Sequence, residues 1–206
     1  MTLHIDHVLF AVDDLDIAAR EVEMRFGLAS IEGGRHPAWG TANRIVPLGD
    51  TYVELVAVAD PDIAATTAFG RWVAAGRSGR PLGWAVRTDA LDAVADRIGL
   101  SIAAGSRQTP AGDVLRWRSA GVPESAAEPA LPFFIEWADG SAFPGAAAVD
   151  HPGGGATLKR LSLTGDADRV AVWMGDHDLP IDIGSGLAGP AQLVLARPGG
   201  DIQFDW

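Results

Sequence analysis

The stretch LHIDHVLFAV, residues 3–12, decides the fold, because it is an apolar β-rich run that carries an ionisable side chain, His7. Side chains alternate along a strand, so His7 lies on the same predicted face as Ile5, Leu9 and Ala11. A second β-rich run, TYVELVAV at residues 51–58, carries Glu54 in the same way. An unpaired ionisable group in an apolar core is costly. The two residues therefore predict one shared site between two strands.

The composition predicts a globular protein with no membrane span. Its 206 residues are 48% apolar, enough for a sizeable core. No stretch approaches the roughly 18 apolar residues of a membrane helix, and residues 1–7 lack the basic and apolar regions of a secretory leader. The chain has no cysteine, which excludes disulfides, thiolate catalysis and zinc-thiolate sites. These features favour a cytoplasmic location.

The charge argues against a nucleic-acid partner. The formal net charge is −11 and Lys159 is the only lysine, whereas binding to a phosphate backbone needs clustered positive charge. Single arginines can still hold a small anion. The expected partner is therefore a small molecule.

One pattern of elements occurs three times along the chain. An apolar strand is followed by a helix with a one-sided apolar stripe and then by further strands, so each unit reads β-α-β-β-β. The predicted helices begin near Leu15, Leu91 and Ala167, which are 76 residues apart in each case. Equal spacing with the same internal pattern indicates a repeated unit. We expect an α+β fold whose modules form a curved sheet, with the helices outside and a pocket on the concave side.

The predicted organisation is a single unit over residues 1–206. Its parts are module one at 1–59, a connector at 60–81, module two at 82–139, a loop at 140–156 and a partial third module at 157–206. The third module either covers the other two or supports dimerisation. Exposed strand edges have to be paired or covered, which favours a homodimer.

Four segments together resemble the vicinal oxygen chelate superfamily and, within it, the glyoxalase-like domain group. They are IDHVLFAVDDLD at 5–16, HPAWGTAN at 36–43, YVELVAV at 52–58 and PFFIEW at 132–137. The resemblance implies that paired modules form a cup around a divalent metal, bound by the first and last strands of each module. Carried over by position, it implies the metal ligands His7, Glu54 and Glu136.

The first strand of module two departs from this pattern. It offers Gly83 or Trp84 where metal-dependent members of the superfamily have histidine or glutamine. A complete site would then need water or His36 as a further ligand. The expected metal is Mn²⁺, Fe²⁺, Zn²⁺, Ni²⁺ or Mg²⁺, and a protein without metal is the alternative.

Further residues are candidates for the pocket. The loop GGRHPAWGTAN at 33–43 holds His36, and its small residues would let Asn43 and the backbone approach a ligand. Three tryptophans of module two can line an apolar cup, namely Trp84, Trp117 and Trp137. The expected substrate-binding residues are His36, Thr41, Asn43, Trp84 and Trp117.

Each candidate also has a purely structural interpretation. His7 can be a hydrogen-bonded histidine near a strand end, and His36 can be an exposed loop residue. Glu54 and Glu136 can be buried carboxylates paired with an arginine. The arginines considered are Arg44, Arg87, Arg116 and Arg118.

The resemblance leaves three functional hypotheses. The first is a metal-assisted lyase, isomerase or dioxygenase acting on a small oxygenated metabolite, with Glu54 and Glu136 as catalytic residues. The second is a metal-free protein that sequesters a small molecule, as the bleomycin-resistance branch of the superfamily does. The third is an enzyme without metal that uses Glu54 or Glu136 as a general base. Fold alone does not decide among them.

Overall fold

The computed structural model describes residues 2–77 and 80–204. Two β-α-β-β-β units form its larger part. The first contains β1 (Leu3–Ala11), α1 (Leu15–Phe26), β2 (Ile31–His36), β3 (Thr41–Pro47) and β4 (Tyr52–Val58). Helices α2 (Pro61–Ala64) and α3 (Ala68–Ala75) connect it to the second unit. That unit contains β5 (Pro81–Thr88), α4 (Leu91–Ile98), β6 (Ile102–Gln108), β7 (Val114–Ala120), α5 (Val122–Ala127) and β8 (Phe133–Trp137).

The eight strands of these units close into a barrel in the order β1-β4-β3-β2-β6-β7-β8-β5. At one seam the units join along an antiparallel β1–β5 pair. At the other seam β2 meets β6 through the pair Arg35–Gln108. The prediction of an α+β fold with repeated modules, a curved sheet and outer helices is confirmed, and the sheet closes on itself.

Helix α1 shows how the local sequence builds the outer layer. The Asp14 carboxylate accepts hydrogen bonds from two backbone N–H groups of the first turn and so caps the helix. Gly27 ends the helix with a φ of 66°, which glycine adopts without strain. Val22 and Phe26 face inward and join the core. No helix in the described part of the chain is long and apolar enough to span a membrane.

Strand β1 separates two apolar clusters. Leu9 belongs to the cluster inside the barrel, whereas Val8 and Phe10 belong to the core between the barrel and the outer elements. All three side chains are buried. A strand that is buried on both faces reads as a continuous apolar run rather than an alternating one, which explains the sequence VLFAV.

After the second unit the chain continues with four strands, which form a second, smaller sheet, and one α-helix. They are β9 (Thr157–Thr164), α6 (Ala167–Met174), β10 (Ile181–Gly184), β11 (Gly189–Ala196) and β12 (Ile202–Phe204), with the strand order β10-β9-β11-β12. The Phe204 ring lies 5.4 Å from that of Phe10 and 4.4 Å from that of Phe26, measured between centroids. The small sheet therefore packs against the outside of the barrel.

One predicted loop is partly strand. The sequence predicts a loop over residues 33–43, but β2 continues through His36 and β3 begins at Thr41. A register shift between Glu32 and Gly34 interrupts the β2–β3 pairing, and Gly34 has a φ of 135°. Because of this irregularity the segment lacks the regular alternation by which a strand is predicted from sequence. In the structure His36 is the last residue of β2 and lies in the barrel wall.

Candidate functional site

The barrel encloses a cavity with about 430 Å³ of empty space, including its open mouth. Its wall combines aromatic side chains with an equal number of polar or ionisable ones, and polar groups that converge in an otherwise apolar pocket are typical of small-molecule sites. The aromatic residues that line it are Trp39, Tyr52, Phe69, Trp117, Phe133 and Trp137. The polar and ionisable residues are His7, His36, Asn43, Glu54, Arg107 and Ser119.

A bulge in β1 places an aspartate beside His7. Ile5 pairs with Val86 and His7 pairs with Ala85, so Asp6 is the extra residue of a β-bulge. The bulge interrupts the alternation that would otherwise direct Asp6 and His7 to opposite faces. Both side chains are buried.

Asp6 is hydrogen-bonded through both carboxylate oxygens. Its Oδ1 lies 2.6 Å from Nδ1 of His7, and its Oδ2 accepts a 2.9 Å hydrogen bond from Nε1 of Trp137. A histidine with Nδ1 held by a carboxylate keeps Nε2 for other partners. The fixed ring of His7 therefore presents Nε2 to the neighbouring strand.

Glu54 on β4 faces this second nitrogen. Its Oε2 lies 3.3 Å from Nε2 of His7, and its Oε1 accepts a 2.5 Å hydrogen bond from Nδ2 of Asn43. The His7 ring also stacks on Tyr52, with centroids 4.6 Å apart. The structure thus brings His7, Glu54 and Asn43 together. We call the buried carboxylate–imidazole–carboxylate series the Asp6–His7–Glu54 array.

His36 lies in the cavity wall on β2 and is only 3% exposed. Burial lowers its pKa to about 4; Arg107 and His7 act in the same direction, while Glu54 opposes them. His36 is therefore neutral at pH 7. Its Nδ1 lies 3.0 Å from Oγ1 of Thr41, so Thr41 holds the ring in place.

Arg107 is a cavity residue that the sequence analysis did not select. It lies on β6, is 6% exposed, and its Nη1 has no hydrogen-bond partner among the described residues. Burial lowers the pKa of the guanidinium, and the charge of Glu54 acts in the opposite direction. In the structure the Trp117 ring lies over Gly105, and alternation places Arg107, two residues later, on the same face of β6. The sequence does not show which face of this strand lies inside the barrel.

Glu136 does not join His7 and Glu54, which corrects the sequence-based expectation. In β8 the cavity-facing residues alternate from Phe133, and Glu136 falls on the opposite face. There it accepts a 2.9 Å hydrogen bond from Nε of Arg118, which also binds Asp92 on α4. These two acidic partners raise the pKa of Arg118 above its ordinary value. Glu136 is therefore a carboxylate paired with an arginine, which is the structural interpretation given above as the alternative to a site role.

Trp84 and Trp117, the two tryptophans expected to bind substrate, have different surroundings. Trp117 lines the cavity. Trp84 is completely buried in the core outside the barrel, where its Nε1 donates a 3.0 Å hydrogen bond to the Ala130 carbonyl. Its strand neighbour Ala85 faces the interior instead, because adjacent residues of a strand point to opposite faces.

The donor set does not fit a metal chelate. His7 and Glu54 offer two ligands from the first unit, whereas Ala85 lies opposite His7 in β5. The cavity-facing residues of β8 are Phe133, Ile135 and Trp137. Within residues 2–77 and 80–204, no group of three or more His, Cys, Asp or Glu side chains is arranged to hold a metal ion. The Arg107 guanidinium also places a positive charge in the same cavity, which opposes a bound cation.

Comparison with known proteins supports the fold seen here. A hypothetical protein from Staphylococcus aureus superposes with a TM-score of 0.70 at 13% identity, covering 98% of this chain and 99% of that chain. A methylmalonyl-CoA epimerase variant from Streptomyces coelicolor, in complex with 2-nitronate-propionyl-CoA, gives a TM-score of 0.51 at 20% identity. That similarity covers 69% of this chain and 99% of the epimerase. At these identities the structures show a common fold alone.

None of the curated protein sequences matches the chain. The family model described as Glyoxalase-like domain matches residues 5–177. The matched region contains both β-α-β-β-β units and extends through α6. The chain therefore belongs to the glyoxalase-like domain family, within the vicinal oxygen chelate superfamily.

Proposed function

We propose that the protein is a metal-independent enzyme that moves a proton on a small organic molecule held in the barrel cavity, with Glu54 as the general base. The observation that carries this proposal is the Asp6–His7–Glu54 array, whose members are all buried at an apolar cavity. Perturbed or specially paired titratable groups in a cleft are typical of functional sites. The metal-assisted form of the hypothesis has less support, because the second unit contributes apolar side chains where ligands would be needed.

The array defines where a proton can go. Breaking a C–H bond of the substrate transfers the proton to Oε2 of Glu54 and leaves the electron pair on an adjacent carbonyl oxygen as an enolate. Nε2 of His7, 3.3 Å from Oε2, is a second acceptor for that proton. The Asp6 carboxylate stabilises the imidazolium that forms, since it lies 2.6 Å from Nδ1. Return of the proton to carbon completes an isomerisation or epimerisation.

Asn43 orients the base. Its amide donates to Oε1 of Glu54, which leaves Oε2 for His7 and the substrate. One of the superposed structures is an epimerase, and epimerisation is the only part of that description that we carry to this chain. Because its identity is low, the proposal rests on the residues of the site and not on this likeness.

The second candidate function is sequestration of a small molecule without chemistry. The aromatic wall favours it, because stacked and edge-to-face rings bind apolar ligands without needing the array. Trp39 and Trp117 lie 5.6 Å apart between ring centroids, and Trp117 and Trp137 lie 5.5 Å apart. A binding protein of this kind would leave the Asp6–His7–Glu54 array with only a structural role.

Hydrogen–deuterium exchange distinguishes the two candidates. The protein is incubated in D₂O with small aldehydes, ketones and 2-oxo acids, and loss of the proton signal next to the carbonyl is followed by NMR. We expect exchange with the wild type, loss of exchange in Glu54→Gln, and unchanged exchange in Glu23→Gln, which alters an exposed glutamate of α1. Ligands that bind without any exchange would favour sequestration, and equal exchange in Glu54→Gln would contradict the role of Glu54.

A further inference from the structure

The strongest unused feature of the cavity is the guanidinium of Arg107. Its side chain is more than nine-tenths buried, it lines the cavity, and its Nη1 has no hydrogen-bond partner among the described residues. Buried polar groups are almost always hydrogen-bonded in proteins, so an exception needs an explanation. A buried arginine is an even stronger exception, because it cannot lose its charge to escape the cost of burial.

No neighbouring carboxylate among the described residues pairs directly with Arg107. Both oxygens of Glu54 already contact other groups, His7 and Asn43. His36 is neutral at pH 7 because burial lowers its pKa to about 4. Burial also raises the pKa of Tyr52 well above its ordinary value, so the phenol stays protonated. In the described part of the chain, no carboxylate oxygen forms an ion pair with Arg107 within 4 Å.

We propose that Arg107 binds the carboxylate of a small, monoanionic ligand whose apolar body rests on the aromatic wall. The guanidinium is planar and matches a carboxylate with two parallel N–H donors. A phosphate dianion needs more donors than one arginine gives, and the cavity lining contains no lysine and no second arginine among the described residues. The carboxylate is therefore the better match.

The side chains that line the cavity near Arg107 indicate that the rest of the ligand is apolar. Trp117 lies on β7, the strand next to that of Arg107, and its ring covers Gly105 on the cavity side. Phe133 and Ile135 continue the apolar surface across β8. A ligand anchored at Arg107 thus lies against rings, and its reactive carbon faces the part of the cavity that holds Glu54. This reactive placement rests on the proposed function, whereas binding of the carboxylate does not.

Binding of benzoate tests the inference directly. Benzoate and its neutral analogue benzamide are titrated by tryptophan fluorescence and by thermal shift, with inorganic phosphate as a third probe. We expect benzoate to bind about tenfold or more tightly than benzamide, as a charge-assisted hydrogen bond implies. Phosphate should bind weakly or not at all. Equal affinity for benzoate and benzamide, or no binding of benzoate, would overturn the proposal.

Variants of Arg107 separate a ligand-binding role from a structural one. We expect Arg107→Met to lose the preference for benzoate and, in the absence of ligand, to have a higher Tm than the wild type, because an unpaired buried charge is removed. Arg116→Met alters an exposed arginine of β7 and should behave like the wild type. A lower Tm of Arg107→Met would indicate a structural role, and a retained preference for benzoate would show that Arg107 does not bind the carboxylate; either result would overturn the proposal.

The same titration distinguishes this inference from the proposed function. Glu54→Gln should lose hydrogen–deuterium exchange but keep its preference for benzoate over benzamide. If the wild type binds benzoate through Arg107 and exchanges no proton from any carbonyl compound, the proposed chemistry fails and the carboxylate site stands. If exchange occurs and benzoate has no advantage over benzamide, the carboxylate site fails and the chemistry stands.

Discussion

Asp6 Oδ1 lies 2.6 Å from Nδ1 of His7, the next residue in the chain, although neighbouring residues of a regular strand point to opposite faces. The bulge in β1 makes this contact possible. Trp137 holds the other oxygen of Asp6 from β8, so the carboxylate is fixed from both units of the barrel. The pair is therefore a product of the closed barrel and of one irregular position in its first strand.

Replacing this carboxylate should impair proton transfer while leaving the ligand in place. In Asp6→Asn the amide no longer stabilises the imidazolium of His7, and we expect exchange to slow by about 10²–10⁴-fold, the usual contribution of a positioned acid–base group. Benzoate affinity should stay within about twofold of the wild type, since Arg107 is untouched. The check is the NMR exchange rate measured beside the fluorescence titration.

Trp137→Phe is the matched control for Asp6→Asn. It removes only the hydrogen bond to Oδ2 and keeps the contact between Asp6 and His7. Its exchange rate should fall less than that of Asp6→Asn. If the two variants slow exchange equally, the packing around Asp6 matters and its charge does not.

Glu136→Gln tests the correction to the predicted site. Glu136 pairs with Arg118 on the outer face, and Arg118 is 42% exposed. We therefore expect a loss of stability below about 1 kcal/mol, as is usual for exposed ion pairs, measured by urea unfolding. Proton exchange and benzoate binding should be unchanged. A variant that folds normally but loses either activity would return Glu136 to the site.

Alternation in the sequence groups His7 with Leu9, and the cost of burying unpaired ionisable groups leads to the expectation that His7 and Glu54 share one site. Glu136 was matched by motif, TYVEL against FFIEW, and the motif does not reveal which face of β8 is inside. That face is fixed by the pairing of Ala85 with Phe133, which is a tertiary contact. Register in a sheet depends on such contacts, and a shift of one residue reverses every side chain.

Arg107 and Asp6 needed information that the sequence does not hold. The segment IAAGSRQ has few residues with high β propensity, so the sequence gives little sign that β6 reaches Gln108. In Asp6 the difficulty is different, because regular alternation directs it away from His7 and only the bulge changes this. Both residues depend on irregular or weakly encoded strands, which are decided by packing between the two units.

The neutral state of His36 makes stability depend on pH. Its pKa falls from 6.5 to about 4 on folding, so the unfolded chain binds more protons between these values. Stability is fully present above pH 6.5 and falls as the pH is lowered towards 4, by about 3 kcal/mol for this group. Urea unfolding across this range should show a shallower decline in His36→Gln. The control His4→Gln alters an exposed histidine and should follow the wild type; equal slopes in all three would contradict the assignment.

Gly105 gives the Trp117 ring its position on the cavity wall. A Cβ at this residue would lie 2.4 Å from ring atoms of Trp117, so Gly105→Ala has to displace the ring. We expect a loss of about 1–3 kcal/mol in unfolding free energy, as for other overpacked cores, and weaker benzoate binding. Gly155→Ala, where the added Cβ meets no described atom within 4 Å, should be neutral. Unchanged benzoate affinity in Gly105→Ala would show that Trp117 does not contact the ligand.

Metal binding is the sharpest test of how this chain differs from a chelate enzyme. A histidine whose Nδ1 is held by a carboxylate is the usual arrangement of a metal ligand, and His7 has this arrangement with Asp6. The rest of the cavity opposes a metal, because Ala85 lies opposite His7 and Arg107 adds positive charge. A ligand that binds only the folded state raises its apparent stability. We therefore expect no increase in Tm with Mn²⁺, Fe²⁺, Zn²⁺, Ni²⁺ or Mg²⁺ and no near-stoichiometric metal by elemental analysis of untagged protein. Metal retained by the wild type and lost in His7→Ala would establish a metal site at His7 and contradict the metal-independent proposal.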